Sequence, residues 1–219
     1  MIRFENLTKR FVLHGHVKTV LANVSLTVPS RTAVALLGRN GAGKSTLLRM
    51  IAGTVDPTSG RILSSGTISW PVGFSGSFHP DLTGAQNTKF IARVYGADTA
   101  ALAEFVEEFA ELGDHFRQPF RSYSSGMKSR LAFGVSMGIK FDTYLVDEVT
   151  AVGDAAFRAK AAAMFKDRMS DAGAVLVSHS MGQVREMCDV GIVLENGHLR
   201  YYEDIDEAIK HHERNMIPN

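Results

Sequence analysis

Thiol chemistry is nearly missing from this chain. Cys188 is its only cysteine, so no internal disulfide can form, and a reducing, cytosolic address is the expectation. Following an apolar helical stripe, Cys188 reads as a core residue. Long apolar runs are missing too: none approaches the roughly 18 residues of a membrane span, and the N-terminus carries no charged-then-apolar leader. The chain by itself is therefore expected to be soluble. Nor is there a surplus of either charge. The 24 Lys and Arg face 23 Asp and Glu, a net charge of +1, which argues against broad electrostatic binding to nucleic acid and leaves room only for a local basic patch. What remains is 219 residues, 45% of them hydrophobic, enough for one large domain or for two lobes sharing a core.

The most informative stretch is Gly38-Arg39-Asn40-Gly41-Ala42-Gly43-Lys44-Ser45-Thr46, which fits G-x-x-x-x-G-K-[ST]. Its flanks fit as well: the apolar run 32–37 predicts a buried strand before it, and 47–52 predicts a helix after it. Gly38, Gly41 and Gly43 allow the chain to curl until successive N–H groups face one point, where the new helix also aims its positive end. Such a concavity holds phosphates. Lys44 can reach the β- and γ-phosphates as a point charge, and the Ser45 hydroxyl is placed to ligate Mg²⁺. A glycine-rich turn without a ligand is the plainer alternative, disfavoured by the Lys-Ser pair in register.

Upstream, 2–7 and 20–28 predict strands of an N-terminal sheet, with a His- and Gly-rich loop between them. Phe11, or else His14 or His16, could stack on a nucleotide base; Phe11 could equally be a core residue. Downstream, 61–72 alternates as short strands broken at Gly66, and 73–84 has the composition of a mobile connection. Helices are predicted at 87–95 and 98–112, the second with Leu102, Phe105, Val106, Phe109 and Leu112 on one face, an ordinary packing stripe. Ser124, in Tyr123-Ser124-Ser125-Gly126-Met127, suits the N-cap of a further helix.

The apolar strand 143–146 ends in Asp147-Glu148, where open α/β sheets put their ligands. Asp147 is in position to hold Mg²⁺, directly or through water. Glu148 points to the other side of the pleat and can polarise an attacking water as general base. After Gly153-Asp154 and a helix over 155–169, the strand 174–177 leads to His179, whose imidazole could donate to a γ-phosphate oxygen. Ser180 with Gln183 predicts a capping box. A hairpin around Asn196-Gly197 and a polar closing helix over 203–214 complete the chain.

Taken in order, the glycine loop, Ser124-Ser125-Gly126-Met127, Asp147-Glu148, Asp154 and His179 make the chain resemble the nucleotide-binding subunit of an ABC transporter along nearly its whole length. More narrowly, Ile68-Ser69-Trp70-Pro71-Val72-Gly73, Tyr123 to Met127 and Asp147-Glu148-Val149-Thr150-Ala151-Val152-Gly153-Asp154 resemble the branch that exports capsular polysaccharide. Related branches for O-antigen or teichoic acid often append a C-terminal domain, and ending at the closing helix favours the capsule type. The resemblance implies an α/β fold with a P-loop NTPase core of ABC type, an N-terminal antiparallel β subdomain and an inserted α-helical subdomain. It implies one ABC ATPase domain over 1–219, with 1–75 and 140–219 as core and 76–139 as the helical subdomain. It also implies a head-to-tail homodimer in which Ser124, Ser125, Gly126 and Met127 of one copy close over ATP and Mg²⁺ held by the other, with Asp154 in the D-loop. Integral permease subunits would carry the glycan, and the chain would sit peripherally on the cytoplasmic face of the bacterial inner membrane, with no nucleic-acid partner.

Two departures stand out. Between Val72 and Leu82, where the family usually has a glutamine meeting Mg²⁺, this chain has Gly73-Phe74-Ser75-Gly76-Ser77-Phe78-His79-Pro80-Asp81; Ser75, Ser77 or His79 could serve through water. Met127 stands where a signature glutamine is common. Competing readings are export of another surface glycan, a soluble ABC-type ATPase acting on ribosomes or DNA, and a subunit that binds nucleotide without hydrolysing it. The first of these competitors shares the same chemistry. The second lacks the paired cassettes or long inserts such proteins carry, and the third is opposed by the intact Asp147, Glu148 and His179 set.

Overall fold

The computed structural model describes residues 1–13, 15–147 and 153–216. From the N-terminus come β1 (Ile2–Leu13), β2 (His16–Val28), β3 (Ala33–Leu37), α1 (Lys44–Ile51), β4 (Ser59–Ser64) and β5 (Ile68–Pro71). Then follow α2 (Gly84–Val94), α3 (Thr99–Ala110), α4 (Ser125–Gly138), β6 (Thr143–Asp147) and α5 (Ala155–Asp171). The chain closes with β7 (Gly173–Val177), α6 (Met181–Met187), β8 (Val190–Glu195), β9 (His198–Tyr202) and α7 (Ile205–Met216). Internal contacts divide it into one unit of Met1–Pro71, Phe141–Glu148 and Asp171–Asn219, and a second of Val72–Lys140 and Val149–Ser170.

The first unit holds two sheets. In the smaller, ordered β2-β1-β4, β1 pairs antiparallel with both neighbours. Val20, Val24 and Val28 turn inward along β2, the alternation of a half-buried strand. The His-rich stretch expected to be a loop is instead the end of this hairpin: Phe11 pairs with Lys18 and Val12 with Val17. Aromatic and β-branched residues on both sides favour pairing up to the turn, and the His and Gly at the tip masked that signal.

The larger sheet is ordered β5-β6-β7-β3-β8-β9, parallel except for the β8–β9 hairpin around Asn196-Gly197. Its central strands are continuous apolar runs because both faces are covered; all five residues of β7 are buried. Val34, Leu36, Leu145, Val175 and Ile192 share one core with Leu47, Leu48 and Ile51 of α1. Cys188 lies in the interior, where burial pushes its thiol up to about 12.

The second unit is helical. α2 opens on a capping box between Thr83 and Gln86, three residues before the start that periodicity alone suggests. The connection before it is pinned: buried Asn87 accepts from the His79 N–H at 2.8 Å and donates to the His79 carbonyl at 3.0 Å. The stripe on α3 is packing, as its spacing implies. Leu102, Val106, Phe109 and Leu112 are buried, and the Phe109 ring lies 5.6 Å from Phe105, 5.9 Å from Phe133 and 5.5 Å from Phe157. Phe109→Ala should therefore destabilise the protein by about 3–5 kcal/mol, read as a lower denaturant midpoint at unchanged slope; a loss under about 1 kcal/mol would show that this aromatic cluster is peripheral to stability.

Candidate functional site

The glycine loop leaves β3 at the carboxyl edge of the large sheet and runs into α1, which starts at Lys44. Two of its glycines sit where no side chain fits. A Cβ on Gly38 would stand 2.6 Å from the Leu194 carbonyl oxygen, and one on Gly43, at φ 115°, would overlap the Val20 side chain. The loop is thus wedged between β2 and β8. Lys44 folds back over it, Nζ donating to the carbonyls of Gly38 at 2.6 Å and Arg39 at 3.2 Å. Lys18 reaches across from β2 to the Gly41 carbonyl at 3.3 Å. Arg39, Asn40, Gly41 and Ser45 are exposed along the rim, with Ala42, Gly43 and Thr46 half-buried.

Register decides what stands beside this loop. Ala35 pairs with Leu176, so Gly38 and His179 each lie three residues beyond paired positions on neighbouring strands. Asp147 pairs with Val177 and ends β6 at the same edge. Lys44 and His179 also act electrostatically on a common neighbour, His212. The glycine loop, Asp147 and His179 therefore occupy one edge of one sheet. Glu148 falls outside the described residues, as do 149–152 and His14. Phe11 is 38% exposed, not a core residue, and the Lys9 ammonium lies 4.9 Å from its ring centroid. Next to His179 the expected capping box is only half formed: Ser180 accepts from the Gln183 N–H at 3.4 Å, but the Gln183 side chain accepts from the Ser178 hydroxyl instead.

A family model described as ABC transporter matches residues 21–151. The chain belongs to the ABC transporter family. It is 51% identical over 212 residues to the polysialic acid transport ATP-binding protein KpsT of Escherichia coli, covering 95% of each. To the capsule polysaccharide export ATP-binding protein CtrD of Neisseria meningitidis serogroup B it is 44% identical over 218 residues, covering 100% of both. Among solved structures, the dimeric post-hydrolysis state of the ATP-binding cassette MJ0796 bound to ADP and Pi matches 92% of this chain and 98% of its own with a TM-score of 0.75. At 23% identity that likeness is one of fold.

In the second unit of this ABC chain, Ser124 caps α4 by accepting from the Met127 N–H at 3.3 Å, which leaves Ser125, Gly126 and Met127 as the first turn. Asp154 accepts from the Phe157 N–H at 2.9 Å and from Arg130 of α4 at 2.6 Å. These bonds to the charged form hold its carboxyl below the usual carboxylate range. Ser75, Ser77 and His79 lie in the segment tied down by Asn87, with Ser77 and His79 exposed.

Sequence reasoning missed one contributor from the first unit. The closing helix is not polar all round: α7 buries Ala208, Ile209 and His212. With Ile205 these follow the i, i+3, i+4, i+7 stripe of an amphipathic helix, a legible pattern that the helix's many charged residues obscured. His212 and Asn215 line a cleft of about 520 Å³ whose other walls are Lys18, Gly38–Ala42 and the β8–β9 turn. Burial and the charge of Lys44 hold His212 below its ordinary 6.5, with His179 and His211 acting the same way and Glu213 opposing them. Below pH 6.5 the unfolded chain takes up a proton that the folded one refuses, so stability is full above 6.5 and falls as pH drops through that value. His212→Leu should flatten that part of the curve of unfolding free energy against pH; an unchanged slope would assign the titration to another group.

Proposed function

We propose that this chain is the ATP-hydrolysing nucleotide-binding subunit of a transporter that exports a capsular polysaccharide, a lipid-linked glycan, across the bacterial inner membrane. One observation carries the reading. A glycine loop closes at the carboxyl edge of β3, beside the ends of β6 and β7, in a chain alignable throughout with a capsule export relative. The N–H groups of residues 38–46 and the start of α1 grip the phosphates, with Lys44 turning from its carbonyls toward them. Phe11 offers its exposed ring to the base.

The donors at this edge fit a hard cation. Ser45 supplies a hydroxyl and Asp147 a carboxylate, with phosphate oxygens completing the shell, the way Mg²⁺ is commonly held. Among the described residues no cluster of three or more His, Cys, Asp or Glu offers an all-protein cage, so the metal would enter with the nucleotide. Once bound, it would neutralise charge on the β- and γ-oxygens. His179 donates to the γ-phosphate, and Glu148 orients and deprotonates the attacking water. The N-terminus of α4 from a second copy, Ser124 to Met127, completes the phosphate shell in trans, and Asp154 sits in the D-loop of the same homodimer. Glu148→Gln should lower turnover by about 10²–10⁴-fold while ATP accumulates in a stable dimer, as seen by phosphate release and size-exclusion chromatography. Unchanged turnover would remove Glu148 from the base role.

Among the described residues no helix is long and apolar enough to cross a membrane, and export requires permease subunits alongside. Phe90 and Val94, one helical turn apart on α2, are 53% and 61% exposed, an apolar face suited to a permease's cytoplasmic segment. The chain then works as a peripheral protein of the cytoplasmic face. Phe90→Asp should abolish co-purification with the permease from detergent-solubilised membranes and leave the ATPase rate of the isolated chain within about twofold, as expected for an exposed position. A chain that pellets with ribosomes instead would favour the non-transport reading.

A further inference from the structure

α7 is seated with little play. A Cβ on Gly191 of β8 would overlap the Ala208 methyl, so helix and strand touch backbone to side chain. His211 is held at both ring nitrogens: the Tyr202 hydroxyl lies 2.7 Å from Nδ1, and Nε2 lies 3.2 Å from the Glu195 carboxylate and 3.1 Å from the Asn215 amide. The next residue is thereby delivered to the cleft beside the phosphate loop. His212 is 9% exposed, and among the described residues its buried Nδ1 has no hydrogen-bond partner. A sealed, unpaired polar atom is costly, and native proteins seldom keep one without a use.

The same cleft is lined by the loop itself, residues 38–42. Two of its carbonyls, those of Gly38 and Arg39, are taken by the Lys44 ammonium. A triphosphate is a far stronger acceptor for that ammonium than a neutral peptide oxygen. Loading the loop therefore weakens the lysine's hold on a carbonyl in the cleft that His212 lines. We propose that His212 is a positioning residue for the phosphate loop: its Nδ1–H donates to the Gly38 or Arg39 carbonyl that Lys44 gives up when nucleotide binds. α7 then acts as a strut that holds the loaded loop in shape. The cost of the unpaired nitrogen falls on the empty protein and is relieved on binding, so the helix favours the nucleotide-bound state. The inference rests on reading 38–46 as the nucleotide loop.

The test uses the full chain as wild type, His212→Leu, His212→Asn and Lys44→Ala, with ATP as the probe. For His212→Leu the melting temperature without nucleotide should rise, by about 2–4 °C, because an unpaired polar atom is replaced by an apolar group. Its Kd for ATP should weaken by about 5–10-fold, the worth of one hydrogen bond, and KM should rise while kcat changes little. His212→Asn, whose amide nitrogen can stand where Nδ1 stood, should recover most of the affinity. A merely structural histidine would lower melting temperature and affinity together, with asparagine no better than leucine, and that result overturns the proposal. A wild-type Kd in His212→Leu, beside lost binding in Lys44→Ala, also overturns it and leaves the loop reading intact. Undiminished binding in Lys44→Ala would overturn the loop reading and this inference together.

Discussion

Everything at the candidate site depends on two close approaches in which backbone meets a neighbour with no room between them. Gly38 lies against the Leu194 carbonyl, and Gly43 against the Val20 side chain. The first fixes the glycine loop to β8 and the second fixes it to β2. These walls are themselves joined, since the Ala22 N–H of β2 donates to the Gly197 carbonyl of the β8–β9 turn at 2.8 Å. The loop inherits its place from two sheets at once. Interiors are close-packed and resist small shifts, so a loop gripped this way presents its N–H groups in one arrangement.

The parallel sheet solves a second problem, that of gathering polar groups without burying them. Strands β3 and β7 are apolar from end to end and β6 is buried from Thr143 to Val146, and their pairing cannot slip without exposing core side chains. Polar chemistry begins only where each strand runs out, at Gly38, Asp147 and His179. The groups gather because registers are locked in the core, while water remains available where charge must be solvated.

The cleft beside the loop shows the opposite arrangement. There α7 brings His212 into a buried place beside Lys44, and the electrostatic cost shows in the direction of its titration. His211, one residue earlier, makes its bonds with Tyr202 and Glu195 and accounts for the helix's orientation. Adjacent histidines on one helix thus divide the labour, one fastening the helix and the other lining the cleft that the loop also lines.

Much of this was legible in the order of residues. The glycine loop announced itself by a strand, three spaced glycines, Lys44-Ser45 and a helix, because a chain that turns this tightly from strand to helix needs glycine where φ is positive, as at Gly38, Gly41 and Gly43. The apolar runs ending at Asp147 and before His179 were equally plain, since a strand covered on both faces has no polar face to interrupt it. The long β1–β2 hairpin was hidden by His and Gly near its tip, and the buried stripe of α7 by its surrounding charges. The partners of the segments were not legible at all: β4 joins β1 while β5, four residues further on, joins β6. Sequence alone determined which stretches would be buried strands, helices or glycine-rich turns, because those depend on local propensity and on the period of apolar residues. Tertiary structure decided that Val20 and Leu194 would press the loop from two sides and that His212 would stand beside it, because contacts between residues 20 to 170 positions apart are fixed by how whole layers fit, which no local pattern encodes.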